Sequence, residues 1–263
     1  MDVYSALEKF KREPDATGIF SDLDGTLSVI SETPESASLT AHVRETLVAL
    51  NARFKVVGIV SGRDSDNARG MVGIDELLYI GSHGLEWIED GHHHYAPEAA
   101  GFFGSVASLA NELNDLLRHT GIRVEKKKLG VAIHYRLVDD KDAAEALIGP
   151  VVQRMIVKYP MRALKGRFVV ELKPDLSIDK GESLAAVCLR KGLKNALYLG
   201  DDVTDVDAFK TLRYLQAEKG MRTVSVAVIS SEAAAEVAKE ADYTLDGVDA
   251  AASLLAWLAQ RQS

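Results

Sequence analysis

Residues 20–28 read FSDLDGTLS. The apolar run TGIF at 17–20 ends almost at once on two acids one residue apart, Asp22 and Asp24, and a glycine follows. A short apolar run that stops on acids reads as a buried strand ending at Asp22. On extended backbone, residues i and i+2 point the same way, so both carboxylates face one side at the strand's carboxyl end. Gly25 permits the sharp turn that a bulkier residue opposes. A solvated loop would account for the pair, and so would a site that needs a nucleophile beside a proton donor.

Working outward, two further apolar runs end on polar turns. FKVVGIVSGR at 54–63 is a β-branched run that stops on Ser61, Gly62 and Arg63, and NALYLGDDVTDVDAFKTL at 195–212 reads as strand, acidic turn and helix. Between these lie a helix over TAHVRETLVALNAR (40–53), spaced through Val43, Leu47 and Leu50, and a strand with an Asp90-Gly91 hairpin in LLYIGSHGLEWIEDG (77–91). KGESLAAVCLRKGL (180–193) is a helix closed by Gly192, and TVSVAVI and DYTL are further strands, with one helix between them and one at the end. Strand and helix in alternation point to a parallel sheet covered by helices.

The middle differs. An amphipathic helix pattern over 101–119 precedes IRVEKKKLGVAIHYRLV, which alternates on either side of a turn near Lys128–Gly130. KDAAEALIGPVVQRMIVKY has helical period, with Pro150 marking a start or a break, and RALKGRFVVELKP carries a Lys165-Gly166 turn before an apolar strand. Helix, hairpin, helix, hairpin suggests a small α+β unit. The expected architecture is therefore an α/β domain over 1–100 and 175–263, interrupted by an α+β domain over 101–174.

Composition excludes several classes. The 263 residues are 47% hydrophobic with a net charge of −8. That supports a sizeable core and argues against global disorder. It also argues against general nucleic-acid binding, which needs a basic surface. The N-terminal MDVYSALEKFKREPD is too charged for a signal-peptide core. No apolar run approaches the ~18 residues of a membrane span. One cysteine, Cys188, forms no internal disulfide and sits in an apolar helical pattern as a packing residue. A cytoplasmic protein with no membrane or nucleic-acid partner is expected. No Walker loop, GxGxxG fingerprint, GxSxG elbow, HExxH or CxxC pattern is present.

If the strands ending at Asp22 and Gly200 are parallel neighbours, Asp22, Asp24, Asp201, Asp202 and Asp205 crowd one sheet edge, where ligands of open α/β sheets bind. So many carboxylates repel one another, and a hard cation held by oxygen ligands, Mg²⁺ above all, would neutralise them. Helix N-capping explains any one such turn. Two of them in one chain favour a metal site. Ser61, also at a strand end, could hold a phosphate oxygen, and Lys180 at a helix start could meet a phosphate or an aspartate.

The order DLDGTL, SGR, KG, GDDVTD resembles the haloacid-dehalogenase superfamily. GSHGLEW, VEKKKLGVAIHYR and VVELKPDLSIDKGESL narrow the resemblance to trehalose-6-phosphate phosphatases, over residues 17 to about 250. The resemblance implies a Rossmann-like core with an inserted cap, Mg²⁺ and an aspartyl-phosphate intermediate. By motif, Asp22 matches the nucleophile, Asp24 the general acid/base, Ser61 the phosphate-binding hydroxyl and Lys180 the lysine that steadies phosphate and nucleophile. Asp201 matches the metal-binding acid, with Asp202 and Asp205 in support, and the Asp22 carboxylate and Asp24 carbonyl as further ligands. Val206 departs from the family, which often carries Glu there.

The resemblance also raises Glu125, Lys127 and Glu171 as glucose-hydroxyl contacts, with Arg63, His83 and Gly84 as candidates from the core. An ordinary solvated sheet face is the other reading of the three cap residues. The triplet His92–His94 reads as an exposed hairpin arm, since adjacent histidines on a strand point to opposite faces. A small-molecule sugar phosphate is the implied substrate. The alternatives are a phosphatase of a sucrose or mannosyl phosphate, a phosphomutase, or a sugar-phosphate-binding regulator without catalysis.

Overall fold

The computed structural model describes residues 2–29, 39–166, 168–230 and 235–260. Chain contacts divide it into two compact units, Met1–His94 with Ile178–Ser263, and Tyr95–Ser177.

The first unit is built on an eight-stranded sheet. Its strands are β1 (Thr17–Ser21), β2 (Val56–Val60), β3 (Leu78–Gly81), β4 (Glu86–Glu89), β5 (His92–Tyr95), β10 (Asn195–Gly200), β11 (Arg222–Ile229) and β12 (Tyr243–Asp246), in the order β12-β11-β10-β1-β2-β3-β4-β5. The strands from β12 to β3 run parallel, and β4 turns antiparallel against β3. Every residue of β1, β2, β3 and β10 is buried, which is why these strands read as continuous apolar runs. Alternate side chains feed two cores. Ile19, Val57, Ile59, Leu197 and Leu199 join one, and Phe20, Val56, Val60, Ala196 and Tyr198 join the other.

Helices cover both faces. α1 (Val3–Arg12), α2 (Ala41–Asn51), α3 (Ser65–Val72) and α9 (Gly247–Ala259) serve the first core, and α6 (Lys180–Arg190), α7 (Val206–Lys219) and α8 (Ala235–Glu240) the second. α1 carries Val3, Leu7 and Phe10 on one buried stripe, is capped by Asp2, and lays the Lys11 ammonium 4.1 Å from the centre of the Trp257 ring. β1 pairs with β2 on one side and β10 on the other, so successive connections leave it in opposite directions. That is the switch point at which open α/β sheets place their ligands, beyond the carboxyl ends of the strands.

The second unit holds an antiparallel sheet of β6 (Arg123–Lys127), β7 (Gly130–His134), β8 (Met161–Gly166) and β9 (Val169–Pro174), ordered β6-β7-β9-β8. α4 (Phe103–Leu116) and α5 (Lys141–Lys158) pack on one face through Val106, Leu109, Ile148 and Met155, meeting Val131, Ile133, Val170 and Leu172. Two local expectations are corrected. Pro150 neither starts nor breaks a helix but lies inside α5. It is exposed, so water can serve the carbonyl it leaves free, while Ala144, Ile148, Val152 and Met155 hold the buried face on either side. Lys165 and Gly166 do not turn. They pair with Val170 and Val169, and the chain reverses after them. Among the described residues no helix is long and apolar enough to cross a membrane.

Candidate active site

The carboxyl ends of β1 and β10 bring their acids together. Asp22 follows β1, its backbone N–H donating to Leu199 of β10 at 2.8 Å. Lys180 is the first residue of α6, whose N-cap is Asp179. Its ammonium donates to Asp22 Oδ1 at 2.8 Å and to Asp205 Oδ1 at 2.7 Å, and all three groups are buried. Asp201 accepts from the Thr26 hydroxyl at 2.9 Å. Gly25 lies against Asp201 with φ +89°, and a Cβ there would come within 2.0 Å of Asp201 Oδ2. The turn after the first acid pair therefore admits only glycine.

Asp205 differs from its neighbours. Its Oδ1 accepts from Lys180 and from the Tyr198 hydroxyl at 2.6 Å. Its Oδ2 accepts from the backbone N–H of Asp201 at 3.1 Å and of Asp202 at 3.0 Å. A carboxylate has about four lone-pair sites, and these donors take them all. Asp205 is thus an anchor that fixes the acidic turn and the lysine. Among the described residues, no donor meets Oδ2 of Asp22 or Oδ2 of Asp201.

The electrostatics follow from the count. Three buried carboxylates, with oxygens within 4.8 Å of one another, face one ammonium, which leaves two negative charges in excess. Burial pushes the Asp22 carboxyl well above its ordinary range against the pull of Lys180, and the charges of Asp205 and Asp201 push it further. Burial, then the charge of Asp205, lifts Asp201 to about 7. For Lys180, burial favours the neutral amine, but Asp205 and Asp22 outweigh it and raise its pKa. An all-oxygen, buried, negatively surplus cluster fits a hard divalent cation, with the open oxygens of Asp22 and Asp201 as its donors.

Beside this cluster, Asp24 is held by Arg63 in a two-point pair, Nε to Oδ2 at 2.6 Å and Nη2 to Oδ1 at 2.7 Å. Arg63 also donates to Asn67 at 2.8 Å. Ser61 is buried at the end of β2, its hydroxyl accepting from Arg63 N–H at 3.1 Å. His83 is buried with its ring against Gly62, and its backbone N–H donates to the Ser61 carbonyl at 3.1 Å. Gly84 abuts the backbone of Asp179. Asp202 stands exposed as the N-cap of the turn that holds Asp205, apart from the buried acids.

In the second unit, Glu125 sits opposite Ala132, and Ala132 opposite Glu171, so the three lie side by side on the sheet face turned away from α4 and α5. Lys127 is ion-paired with Glu171, and His134 Nε2 lies 2.7 Å from Glu125. That hydrogen bond is the main cause holding Glu125 below the ordinary glutamate range.

Thr26 and Tyr198 hold the buried acids in place and are absent from the sequence reading. Thr26 lies inside FSDLDGTLS, where a hydroxyl beside an acidic turn is the available signal. Tyr198 is a phenol in a strand buried throughout, where its polar tip needs a partner.

A family model described as trehalose-phosphatase matches residues 20–249. The trehalose-phosphate phosphatase of Mycobacterium avium is 40% identical over 205 residues, which are 74% of this chain and 51% of that protein. That of Mycobacterium tuberculosis is 38% identical over 201 residues, 73% of this chain and 50% of that protein. An uncharacterized glycosyl hydrolase of Mycobacterium tuberculosis is 40% identical over 225 residues, 81% of this chain and 16% of that protein. The chain thus spans about half the length, or less, of these relatives. Among solved structures, the C-terminal domain of Candida albicans trehalose-6-phosphate phosphatase matches with a TM-score of 0.79 at 21% identity, covering 98% of this chain and 97% of that one. A haloacid dehalogenase-like hydrolase from Bacteroides thetaiotaomicron matches at 0.63 and 16% identity, over 91% of this chain and 98% of that one. These likenesses establish a haloacid-dehalogenase-like fold.

Proposed function

This chain belongs to the trehalose-phosphatase family, and from that premise we propose that it hydrolyses trehalose 6-phosphate to trehalose and inorganic phosphate with Mg²⁺. The observation that carries the reading is the buried contact of Lys180 with Asp22 and Asp205, beside Asp201 and two residues before Asp24. The covalent step is attack of an Asp22 oxygen on phosphorus. The bond from phosphorus to the sugar oxygen breaks, and a proton from Asp24 goes to that oxygen. Water then attacks the aspartyl phosphate while Asp24 takes its proton, which frees phosphate and restores Asp22.

Lys180 offsets charge on the nucleophile and the transferring group. Mg²⁺, held by Asp22 and Asp201 with the Asp24 carbonyl, would supply further charge offset at the phosphate oxygens. Arg63 pairs with both oxygens of Asp24, so the proton-donor role requires the guanidinium to move to another anion. A substrate phosphate provides one. The Ser61 hydroxyl beside it is a phosphate-oxygen donor. Glu125, Lys127 and Glu171 suit sugar hydroxyls, and the unit that bears them is read as the specificity domain. A cytoplasmic location belongs to the same reading.

The test is a phosphate-release screen over trehalose, sucrose, glucose and mannosyl phosphates, with and without exhaustive chelation. Release from trehalose 6-phosphate above the other sugars, abolished by chelator and restored by Mg²⁺, is the expected result. Phosphate retained on the sugar product marks a mutase, and binding without release marks a regulator; either outcome rejects the reading.

A further inference from the structure

The hairpin between β3 and β4 carries strained backbone beside the site. Ser82, His83 and Gly84 take φ of 51°, 56° and 105° in succession. Two of these are not glycine, and consecutive left-handed residues persist only where the surroundings over-determine them. Here each residue of the turn holds a different piece of the site. Ser82 N–H donates to the Arg63 carbonyl at 2.7 Å, and His83 N–H to the Ser61 carbonyl at 3.1 Å. Gly84 lies so close to α6 that a Cβ would come within 2.5 Å of the carbonyl oxygen of Asp179, the residue before Lys180. The turn is a strut between the Ser61–Arg63 loop and the seat of Lys180.

What fixes the strut is Glu86. It is wholly buried at the start of β4, opposite Gly81. Its Oε1 accepts from the Ser82 hydroxyl at 3.0 Å and from the backbone N–H of Ser65, the first residue of α3, also at 3.0 Å. One oxygen therefore ties the strained turn to the helix that follows Arg63. A buried carboxylate is retained against its desolvation cost, and an aliphatic residue would pack there without it.

We propose that Glu86 is a positioning residue for the phosphate-binding rim, acting through Ser82 and Ser65 to hold Ser61 and Arg63 in register with Lys180. The proposal rests on the phosphatase reading above, so wild-type phosphate release is measured first, and its absence refutes that reading rather than this one. Displacement of about 1 Å at a catalytic contact can cost on the order of 100-fold. With wild type active, Glu86→Ala is expected to lower kcat/KM at least tenfold for both trehalose 6-phosphate and a small aryl phosphate, with inorganic phosphate becoming a weaker competitive inhibitor. The assay is run well below the variant's melting temperature. Glu86→Gln keeps an acceptor at Oε1 and should retain activity within about threefold. Ser82→Ala, which removes only the hydroxyl donor, should lose part of the activity with its circular dichroism unchanged. If Glu86→Ala does not fold, the Ser82→Ala and Glu86→Gln results decide. A lower melting temperature with kcat/KM and phosphate inhibition within twofold of wild type makes Glu86 merely structural and overturns the proposal. So does a folded Glu86→Gln protein as impaired as the alanine variant, or a fully active Ser82→Ala protein where Glu86→Ala is unfolded.

Discussion

Replacing Lys180 with methionine tests the charge balance at the centre of the molecule. The side chain keeps its length and loses its ammonium. Lys180 is 3% exposed, Asp22 5% and Asp205 0%, so water cannot take over the lost contacts at 2.8 and 2.7 Å. Removing one partner of a buried ion pair typically costs ~3–5 kcal/mol. For a chain of this size each kcal/mol lowers Tm by about 2–4 °C, so the metal-free variant should melt roughly 6–20 °C below wild type at pH 8. The loss should shrink at pH 5.5. Without the ammonium, which pulls it down, the Asp22 carboxyl rises further above its unfolded value. The native state then binds more protons than the unfolded state and loses stability as pH rises. A divalent cation should recover part of the loss, because it neutralises the same excess charge. The assay is thermal unfolding by circular dichroism at both pH values, in chelator and in Mg²⁺. A Lys180→Met protein that melts within 2 °C of wild type in chelator at pH 8 would refute the claim that this lysine balances buried carboxylates.

Asp22→Asn should abolish turnover with the fold retained, since on the proposed mechanism it removes the nucleophile and keeps the shape; measurable steady-state turnover of the purified variant ends the covalent mechanism. Asp201, lifted to about 7 from its ordinary 3.8, destabilises the metal-free protein as pH rises between those values, its stabilising contribution being complete below the lower and lost above the upper. A cation must displace that proton, so calorimetric Mg²⁺ affinity should fall as pH drops from 7 to 5, and an affinity flat across that window contradicts the coupling. Glu171→Ala or Lys127→Ala breaks a part-buried pair and unpairs groups worth about 1–3 kcal/mol each, so kcat/KM for trehalose 6-phosphate should fall roughly 5- to 150-fold. A small aryl phosphate should be hydrolysed almost as before, and equal losses on both substrates would assign these residues to folding.

Much of this protein is written locally. The runs that become β1, β2 and β10 are apolar on both faces, so each reads as a buried parallel strand, and each stops where a serine or an aspartate begins. The Asp90-Gly91 turn needs positive φ at both residues, and its residue types announce it. The helical spacing of Leu184, Val187 and Cys188 and the closing Gly192 are equally local. Tertiary structure decided what local rules cannot reach. Lys180 meets Asp22 across 158 positions. Whether a lysine is solvated or buried between two carboxylates depends on which helix start the sheet brings to which strand end. Asp201 and Asp205 are the same residue type four positions apart, yet one keeps an open oxygen and the other is filled by Tyr198, Lys180 and two backbone amides. Pro150 runs inside α5 because buried neighbours on both sides hold the helix through it. In each case the sequence by itself supplied residue type and periodicity. The surroundings of each side chain, which set its charge state and its free lone pairs, came from the packed fold, which joins near neighbours such as Tyr198 to segments as distant as Lys180 and Thr26.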